Sequence, residues 1–208
     1  MTFLRRLAAD PVVAILRAAS AERFLDAGRV LYEGGLRAIE VTLTSAGALA
    51  AFARLRDELP GDALLGVGSV KSPADVDQTV EAGAAYLVTP LFRADLVARA
   101  VALQVPVVAG ALTPSEIAAA WAAGAAAVKV FPVSAVGGPA YVKAVRAPLP
   151  EVPLVPTGGV AIADSGASLA AGATAVGIGA PLLGDAGEPG GDLQGLRERA
   201  KRATAAVA

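Results

Sequence analysis

The chain has 208 residues and a formal net charge of −1, and it contains no cysteine and no histidine. These absences exclude thiol nucleophiles, disulfides, histidine-dependent triads and zinc sites with the usual ligands. Only 4% of the residues are aromatic and no basic stretch occurs, so the composition does not favour a nucleic-acid partner. Any catalysis has to use lysine, carboxylates, arginine, hydroxyls or backbone amides.

Hydrophobic residues make up 55% of the chain, and no linker or shift in composition separates a second domain. We therefore expect a single domain over residues 1–208. The apolar stretch from Pro11 to Leu16 is too short for a secretory signal, and no segment has the length of a membrane span. The sequence thus predicts a cytoplasmic protein without a membrane partner.

Short apolar runs, typical of β-strands, alternate with helical stretches along the whole chain. In chain order the predicted strands are Val12–Leu16, Ala38–Leu43, Leu64–Val67, Tyr86–Val88, Val105–Val108, Ala126–Phe131, Leu154–Pro156 and Ala175–Ile178. The predicted helices include Ala21–Glu33, Pro73–Ala82, Ala94–Ala102 and Pro114–Ala123, with a surface loop at Gly184–Asp192 and a final helix over Leu193–Ala206. Eight such units predict an α/β fold, a (β/α)₈ TIM barrel, with an open doubly wound sheet as the alternative.

The second predicted strand carries a carboxylate among aliphatic residues. Because side chains alternate along a strand, Glu40 and Thr42 share one face, and the other face is entirely aliphatic. An aliphatic face suits contact with the helices, so Glu40 is expected to point into the barrel. There it is either a general acid/base or a structural carboxylate paired with an internal lysine or arginine.

Lys129 is the one lysine of four that lies inside an uninterrupted apolar run, Ala125–Val133. A desolvated ammonium is costly, so such a lysine either loses its proton and becomes a nucleophilic amine or extends its head group to water. Alternation places Lys129 on one face with Ala127 and Phe131. Strands two and six lie on opposite sides of an eight-stranded barrel. Glu40 and Lys129 could therefore meet at its axis as an imine-forming pair.

Glycine-rich segments follow several strands at the end where barrel enzymes place their active sites. The segments after strands seven and eight, Pro156–Val160 and Gly177–Pro181, predict a phosphate site because glycine lets backbone N–H groups approach an anion closely. Gly66–Val70 after strand three offers amides and the Ser69 hydroxyl to a second anion. Arg17, at the end of strand one, is either a carboxylate ligand or a surface residue. Lys71 is interpreted as solvated.

Six motifs, spread over nearly the whole chain, closely resemble the class I 2-keto-3-deoxy-6-phosphogluconate and 6-phosphogalactonate aldolases, which overlap with 4-hydroxy-2-oxoglutarate aldolase. They are Glu40-Val-Thr-Leu43, Gly66-Val-Gly-Ser-Val70, Val88-Thr-Pro90, Val128-Lys-Val-Phe-Pro132, Pro156-Thr-Gly-Gly-Val160 and Gly177-Ile-Gly179. The resemblance implies a (β/α)₈ barrel, a homotrimer, and reversible cleavage of a small-molecule keto-deoxy acid to pyruvate and an aldehyde. It implies neither a metal nor a cofactor.

By the same resemblance, Lys129 forms a Schiff base with pyruvate and Glu40 transfers protons. Ser69 stands where the family has a threonine that holds the pyruvate carboxylate. The residues expected to bind substrate are Arg17, Thr42, Ser69, Pro90, Phe131, Thr157, Gly158, Gly159, Gly179 and Ala180.

Two departures bear on the substrate. Thr44 replaces an arginine of the phosphogluconate branch, and Arg17 resembles the phosphogalactonate branch instead. Ala180 replaces a serine that commonly donates to the phosphate, which leaves open whether the aldehyde is phosphorylated. A phosphate-binding barrel isomerase or synthase without an imine, and a non-catalytic sugar-acid binder, are the alternatives. Leu4 and Leu7 are expected to contribute to subunit contacts.

Overall fold

The computed structural model describes residues 2–208, which form one barrel of eight parallel strands. The strands are β1 (Val12–Leu16), β2 (Ala38–Thr42), β3 (Leu64–Gly68), β4 (Tyr86–Val88), β5 (Val107–Ala111), β6 (Ala127–Val130), β7 (Leu154–Pro156) and β8 (Val176–Ile178). Each strand pairs with its neighbours in chain order, and β8 pairs with β1. A bridge between Thr157 and Gly177 joins the ends of β7 and β8 and closes the barrel. The predicted (β/α)₈ fold is confirmed.

Helices accompany the strands, and those between successive strands cover the outside of the barrel. They are α1 (Phe3–Ala9), α2 (Phe24–Glu33), α3 (Ala48–Glu58), α4 (Pro73–Glu81), α5 (Ala94–Ala102), α6 (Pro114–Ala122), α7 (Pro139–Arg146), α8 (Ser165–Ala170), α9 (Ala180–Leu183) and α10 (Leu193–Ala205), with 3₁₀ turns at Val133–Val136 and Ile162–Asp164. Within residues 2–208, no helix has both the length and the apolar character that crossing a membrane requires.

Local sequence signals set where two of these helices begin. Ser72 and Thr113 each form a capping box with the acidic residue three positions later, and each is followed by a proline at the first helical position. The predicted starts of α4 and α6 are therefore confirmed. The predicted start of α2 at Ala21 is wrong by three residues, because the Ala21 N–H donates to the Ala46 carbonyl instead of entering the helix.

Strand β5 differs most from its prediction, Val105–Val108. The Val105 N–H is used by the end of α5, where it donates to the Ala100 carbonyl, so the strand begins later. The strand also continues through Gly110. Glycine is typical of loops, but Gly110 pairs with Lys129 of β6. A side chain at this position would collide with the backbone of Pro90, so glycine allows the close approach. Elsewhere β3 is one residue longer than predicted, so Gly66–Gly68 lies inside the strand, and β2, β6 and β8 are slightly shorter.

Two separate apolar cores confirm the inward and outward faces. Ile39, Val41 and Val128 belong to the core between strands and helices. Ala38 and Ala127 belong to a smaller core inside the barrel. Because side chains alternate along each strand, Glu40 and Lys129 share the inward face with these alanines.

Helix α1 closes the end of the barrel at which the strands begin. Leu7 is 1% exposed and belongs to the interior core, with Phe3 and Leu4 packed against it. The ring of Phe3 lies 5.3 Å from that of Tyr86, centroid to centroid. The expectation that Leu7 contributes to subunit contacts is therefore wrong, because burial inside the barrel removes it from the surface. Leu4 is only half-buried, and its part in subunit contacts stays a prediction.

Leu7→Ala is expected to lower the free energy of unfolding by about 2–5 kcal/mol, because it leaves a cavity in the barrel interior. Urea denaturation of the purified protein measures this change. The matched control is Val101→Ala on α5, where the side chain is 49% exposed and the change should stay within about 0.5 kcal/mol. Equal effects of the two substitutions would contradict the role given to α1.

Candidate active site

Glu40 and Lys129 face each other across the barrel. Around the barrel, β3, β4 and β5 lie between β2 and β6 on one side, and β1, β8 and β7 lie between them on the other. The two residues are therefore on opposite walls. Glu40 is 2% exposed and Lys129 is 4% exposed. Both line one small cavity in the barrel interior, whose other walls are mainly apolar. The structure thus places the amine and the carboxyl group on opposite walls of one cavity inside the barrel.

Neither of the structural alternatives for this pair agrees with the geometry. No basic side chain among residues 2–208 lies within 4.0 Å of the Glu40 carboxyl, so Glu40 is not held in an internal ion pair. Lys129 is almost fully buried, so it does not extend into bulk water. Its Nζ lies 5.2 Å from the centroid of the Phe131 ring, a cation–π distance. Burying two ionisable groups without a mutual ion pair costs free energy, which indicates a functional reason for their position.

Glycines on the neighbouring strands make room for the inward side chains. A Cβ atom added at Gly68 of β3 would overlap the carboxyl group of Glu40. A Cβ atom at Gly177 of β8 would likewise overlap the Thr157 hydroxyl. These positions require glycine because the barrel interior is narrow and the facing side chain already fills the space.

Tyr86 is a buried polar residue of the cavity that the sequence analysis did not single out. Its ring lies over Gly66, and its hydroxyl has no hydrogen-bond partner among residues 2–208. Burial raises the pKa of Tyr86 well above its usual value, and the negative charge of Glu40 raises it further. The hydroxyl therefore keeps its proton. The sequence did contain a signal for this residue: an inward tyrosine on β4 opposite a glycine of β3 indicates a ring that lies across the neighbouring strand.

The residues predicted to hold the pyruvate carboxylate and wall the pocket lie around the open end of the barrel. Ser69 follows β3, is 6% exposed, and has a positive φ of 62°, a strained conformation for a non-glycine residue. Pro90 and Phe131, which follow β4 and β6, are half-buried. The Thr42 hydroxyl donates to the Leu16 carbonyl at 2.9 Å, so it joins β2 to β1.

The glycine segments after β7 and β8 lie side by side, because the bridge between Thr157 and Gly177 joins them. Gly158 and Gly159 have φ values of 85° and 76°, which favour glycine, and they pack against Phe131 and Ser134. No acceptor among residues 2–208 takes the backbone N–H groups of Gly159 and Gly179. Unpaired N–H groups on adjoining loops form a surface that suits an anion.

Arg17 and Ala180 are exposed beside these loops, because β1 pairs directly with β8. The Arg17 guanidinium forms no ion pair with the described residues, so it is available to a ligand at the rim. Lys71 is exposed, as its interpretation as a solvated residue requires. Within residues 2–208, no group of three or more acidic, histidine or cysteine side chains is arranged to hold a metal ion.

A buried amine opposite a buried carboxyl group, below a rim of unpaired amides, defines a barrel enzyme that acts on a small anionic molecule. The family model for KDPG and KHG aldolase matches residues 4–194. The 2-dehydro-3-deoxy-phosphogluconate aldolase of Pseudomonas aeruginosa is 37% identical over 161 residues, which are 77% of this chain and 71% of that protein. The 2-dehydro-3-deoxy-6-phosphogalactonate aldolase of Escherichia coli is 33% identical over 173 residues, which are 83% of this chain and 84% of that protein.

A solved structure of KDPG aldolase from Legionella pneumophila has pyruvate captured as a covalent carbinolamine intermediate. It matches this fold with a TM-score of 0.86 and 25% identity, covering 97% of each chain. The chain belongs to the KDPG and KHG aldolase family, and it is a carbon–carbon lyase.

Gly68→Ala is expected to lower kcat by at least about tenfold, because the new methyl group displaces the Glu40 carboxyl. A coupled assay of pyruvate release measures this loss. The matched control is Gly61→Ala, since a Cβ atom at Gly61 would meet nothing within 4 Å. If both variants keep the kcat of the parent protein, the position of the Glu40 carboxyl is not critical.

Proposed function

We propose that this enzyme is a Schiff-base aldolase in which Lys129 and Glu40 cleave a 2-keto-3-deoxy-6-phospho sugar acid to pyruvate and an aldehyde. The observation that carries the proposal is the burial of Lys129 opposite Glu40 in a cavity with mainly apolar walls. The phosphogluconate and phosphogalactonate aldolases among the relatives support this substrate class.

The first step is attack of the Lys129 amine on the C2 ketone of the substrate. The amine attacks in its neutral form, because only that form has a free electron pair on nitrogen. The adduct is a carbinolamine, which becomes a protonated imine when the hydroxyl group at C2 leaves as water. The carbinolamine in the Legionella pneumophila structure supports this course.

Glu40 supplies and removes the protons in these steps. In its acid form it protonates the departing hydroxyl group at C2. As a carboxylate it takes a proton from the hydroxyl group at C4, directly or through a water molecule. Its burial without an ion pair supports this role, because a carboxylate neutralised by a nearby cation would be a weaker base.

Cleavage of the C3–C4 bond follows from loss of the C4 hydroxyl proton. The electron pair of the breaking bond moves toward the imine nitrogen, which is an electron sink, and an aldehyde forms at C4. The remaining enamine takes a proton at C3 and becomes the imine of pyruvate. Water then adds at C2, pyruvate leaves, and the Lys129 amine is restored. No metal or redox cofactor takes part in this sequence.

The rim residues bind the two anionic ends of the substrate. Ser69 and the adjoining amides hold the pyruvate carboxylate, while Pro90 and Phe131 wall the reacting carbons. Thr42 completes the same wall. The phosphate lies against Thr157 and the loop amides, with Arg17 beside it; the loop residues are Gly158, Gly159, Gly179 and Ala180. The unpaired N–H groups of these loops support this assignment.

The assembly we infer is a homotrimer, which the membership in this family supports. A cytoplasmic location is part of the same proposal, because phosphorylated sugar acids do not diffuse across membranes. Sedimentation equilibrium of the purified protein tests the trimer, and cell fractionation tests the location.

Borohydride reduction in the presence of pyruvate is expected to fix pyruvate covalently on Lys129, because hydride reduces the imine to a stable amine. Peptide mass spectrometry locates the modification. Lys129→Met should abolish both trapping and turnover, while Lys143→Met, at an exposed lysine of α7, should change neither. A parent protein that stays unmodified would favour a barrel isomerase or synthase without an imine.

Glu40→Gln separates the two roles within the same experiment. It should retain trapping of pyruvate, while kcat falls by about 10²–10⁴-fold because the proton-transfer group is lost. Unchanged turnover in this variant would remove Glu40 from the mechanism.

Ala180→Ser is expected to lower KM for a phosphorylated keto-deoxy acid by about five- to tenfold, because one hydrogen-bond donor contributes about 1 kcal/mol. KM for the unphosphorylated analogue should not change. Steady-state kinetics on matched phosphogluconate- and phosphogalactonate-type substrates measure both values, with Ala144→Ser on α7 as control. An equal effect on both forms of the substrate would place the phosphate elsewhere.

A further inference from the structure

Tyr86 and Glu40 are buried polar side chains of one cavity, and each has an oxygen without a partner. The two residues are 1% and 2% exposed. Neither the Tyr86 hydroxyl nor Glu40 Oε1 forms a hydrogen bond with any group of residues 2–208. Buried polar atoms are paired in the great majority of folded proteins, because an unpaired one loses its hydration without compensation. Two of them in one cavity indicate that they share a partner.

The strand register brings these two side chains together over β3. Glu40 of β2 pairs with Gly66 of β3, and Gly66 pairs with Tyr86 of β4, so the three residues form one row across the barrel wall. A Cβ atom at Gly66 would overlap the far end of the Tyr86 ring, and one at Gly68 would overlap the Glu40 carboxyl. Both side chains therefore lean over β3 from opposite sides.

The space between the cavity walls fits one small polar molecule. The cavity leaves about 10 Å³ for the centre of a water molecule, which is room for about one water. Most of its lining is apolar, with Phe3 and Leu7 of α1 at the closed end of the barrel. The polar residues that line this space are Tyr86, Glu40, Lys129 and Thr157, and the Thr157 hydroxyl already donates to the Val155 carbonyl at 3.2 Å.

We propose that Tyr86 is a positioning residue for Glu40, which it holds at Oε1 through one water molecule enclosed at the closed end of the barrel. The other carboxyl oxygen is thereby left for proton transfer. The inference rests on the proposed function, in which Glu40 moves protons. A hydroxyl group and a water molecule each donate and accept, so the link persists in both protonation states of Glu40.

Charged groups around Glu40 fix the direction of the expected pH effect. Lys129 of β6 is the other charged group in the cavity, and α1 contributes only apolar side chains to it. Tyr86 keeps its proton and can donate toward the ionised carboxylate. Loss of this donor destabilises the carboxylate relative to the acid, so the acid limb of the pH–rate profile should move to higher pH.

Tyr86→Phe tests the proposal, because the substitution removes only the hydroxyl and keeps the ring packed against Phe3. With a phosphorylated keto-deoxy acid as substrate, we expect kcat to fall about tenfold and KM to stay within about twofold. The acid limb of the pH–rate profile should move to higher pH by about one unit. Borohydride trapping of pyruvate should persist. Tyr141→Phe is the matched control, since its hydroxyl donates to the Leu112 carbonyl outside the cavity, and it should behave as the parent protein.

A double-mutant cycle separates positioning from packing. In the Glu40→Gln background, Tyr86→Phe should cause no further loss of kcat, because Tyr86 acts through Glu40. Additive losses, or a lower unfolding temperature with an unchanged pH profile, would overturn the proposal. If borohydride fixes no pyruvate on the parent protein, the proposed function itself is contradicted. If the parent protein is modified and the Tyr86→Phe variant is fully active, only the role of Tyr86 is contradicted.

Discussion

The closure of eight parallel strands into a narrow barrel is the constraint on which the rest of the molecule depends. Every second residue of each strand must point into a space that holds few side chains. A long inward residue is therefore possible only where a neighbouring strand carries glycine. Gly66 makes room for Tyr86, Gly68 for Glu40 and Gly177 for Thr157. The small residues of β3 and β8 are thus as much a part of the site as the groups that they accommodate.

The two ends of the barrel have different roles. Helix α1 closes one end with apolar side chains, which leaves the opposite end, with its unpaired amides and Arg17, as the approach for a ligand. Between them lies a cavity with few polar atoms, in which electrostatic interactions are stronger than in water. An amine and a carboxyl group kept apart in such a cavity retain the reactivity that a direct ion pair would suppress.

Much of the fold and the central pair could be predicted from sequence, because alternation along a strand is a local property. It placed Glu40 and Lys129 on inward faces, and eight strand–helix units implied that β2 and β6 oppose each other. The predictions failed where distant contacts override local pattern. Pairing with β6 extended β5 through Gly110, and a bond to Ala46 delayed the start of α2. The packing of Leu7 inside the barrel was missed for the same reason.

By itself, the sequence determined the order of the elements, the faces of the strands and the types of chemical group available, because these depend on residues close together in the chain. Only the tertiary structure decided which groups lie together without a partner. From the sequence alone, Tyr86 is typical of a core residue. The strand register places it beside Gly66, with Glu40 on the other side of that glycine. Register and burial arise from pairing between residues twenty or more positions apart in the chain, so no local pattern specifies them.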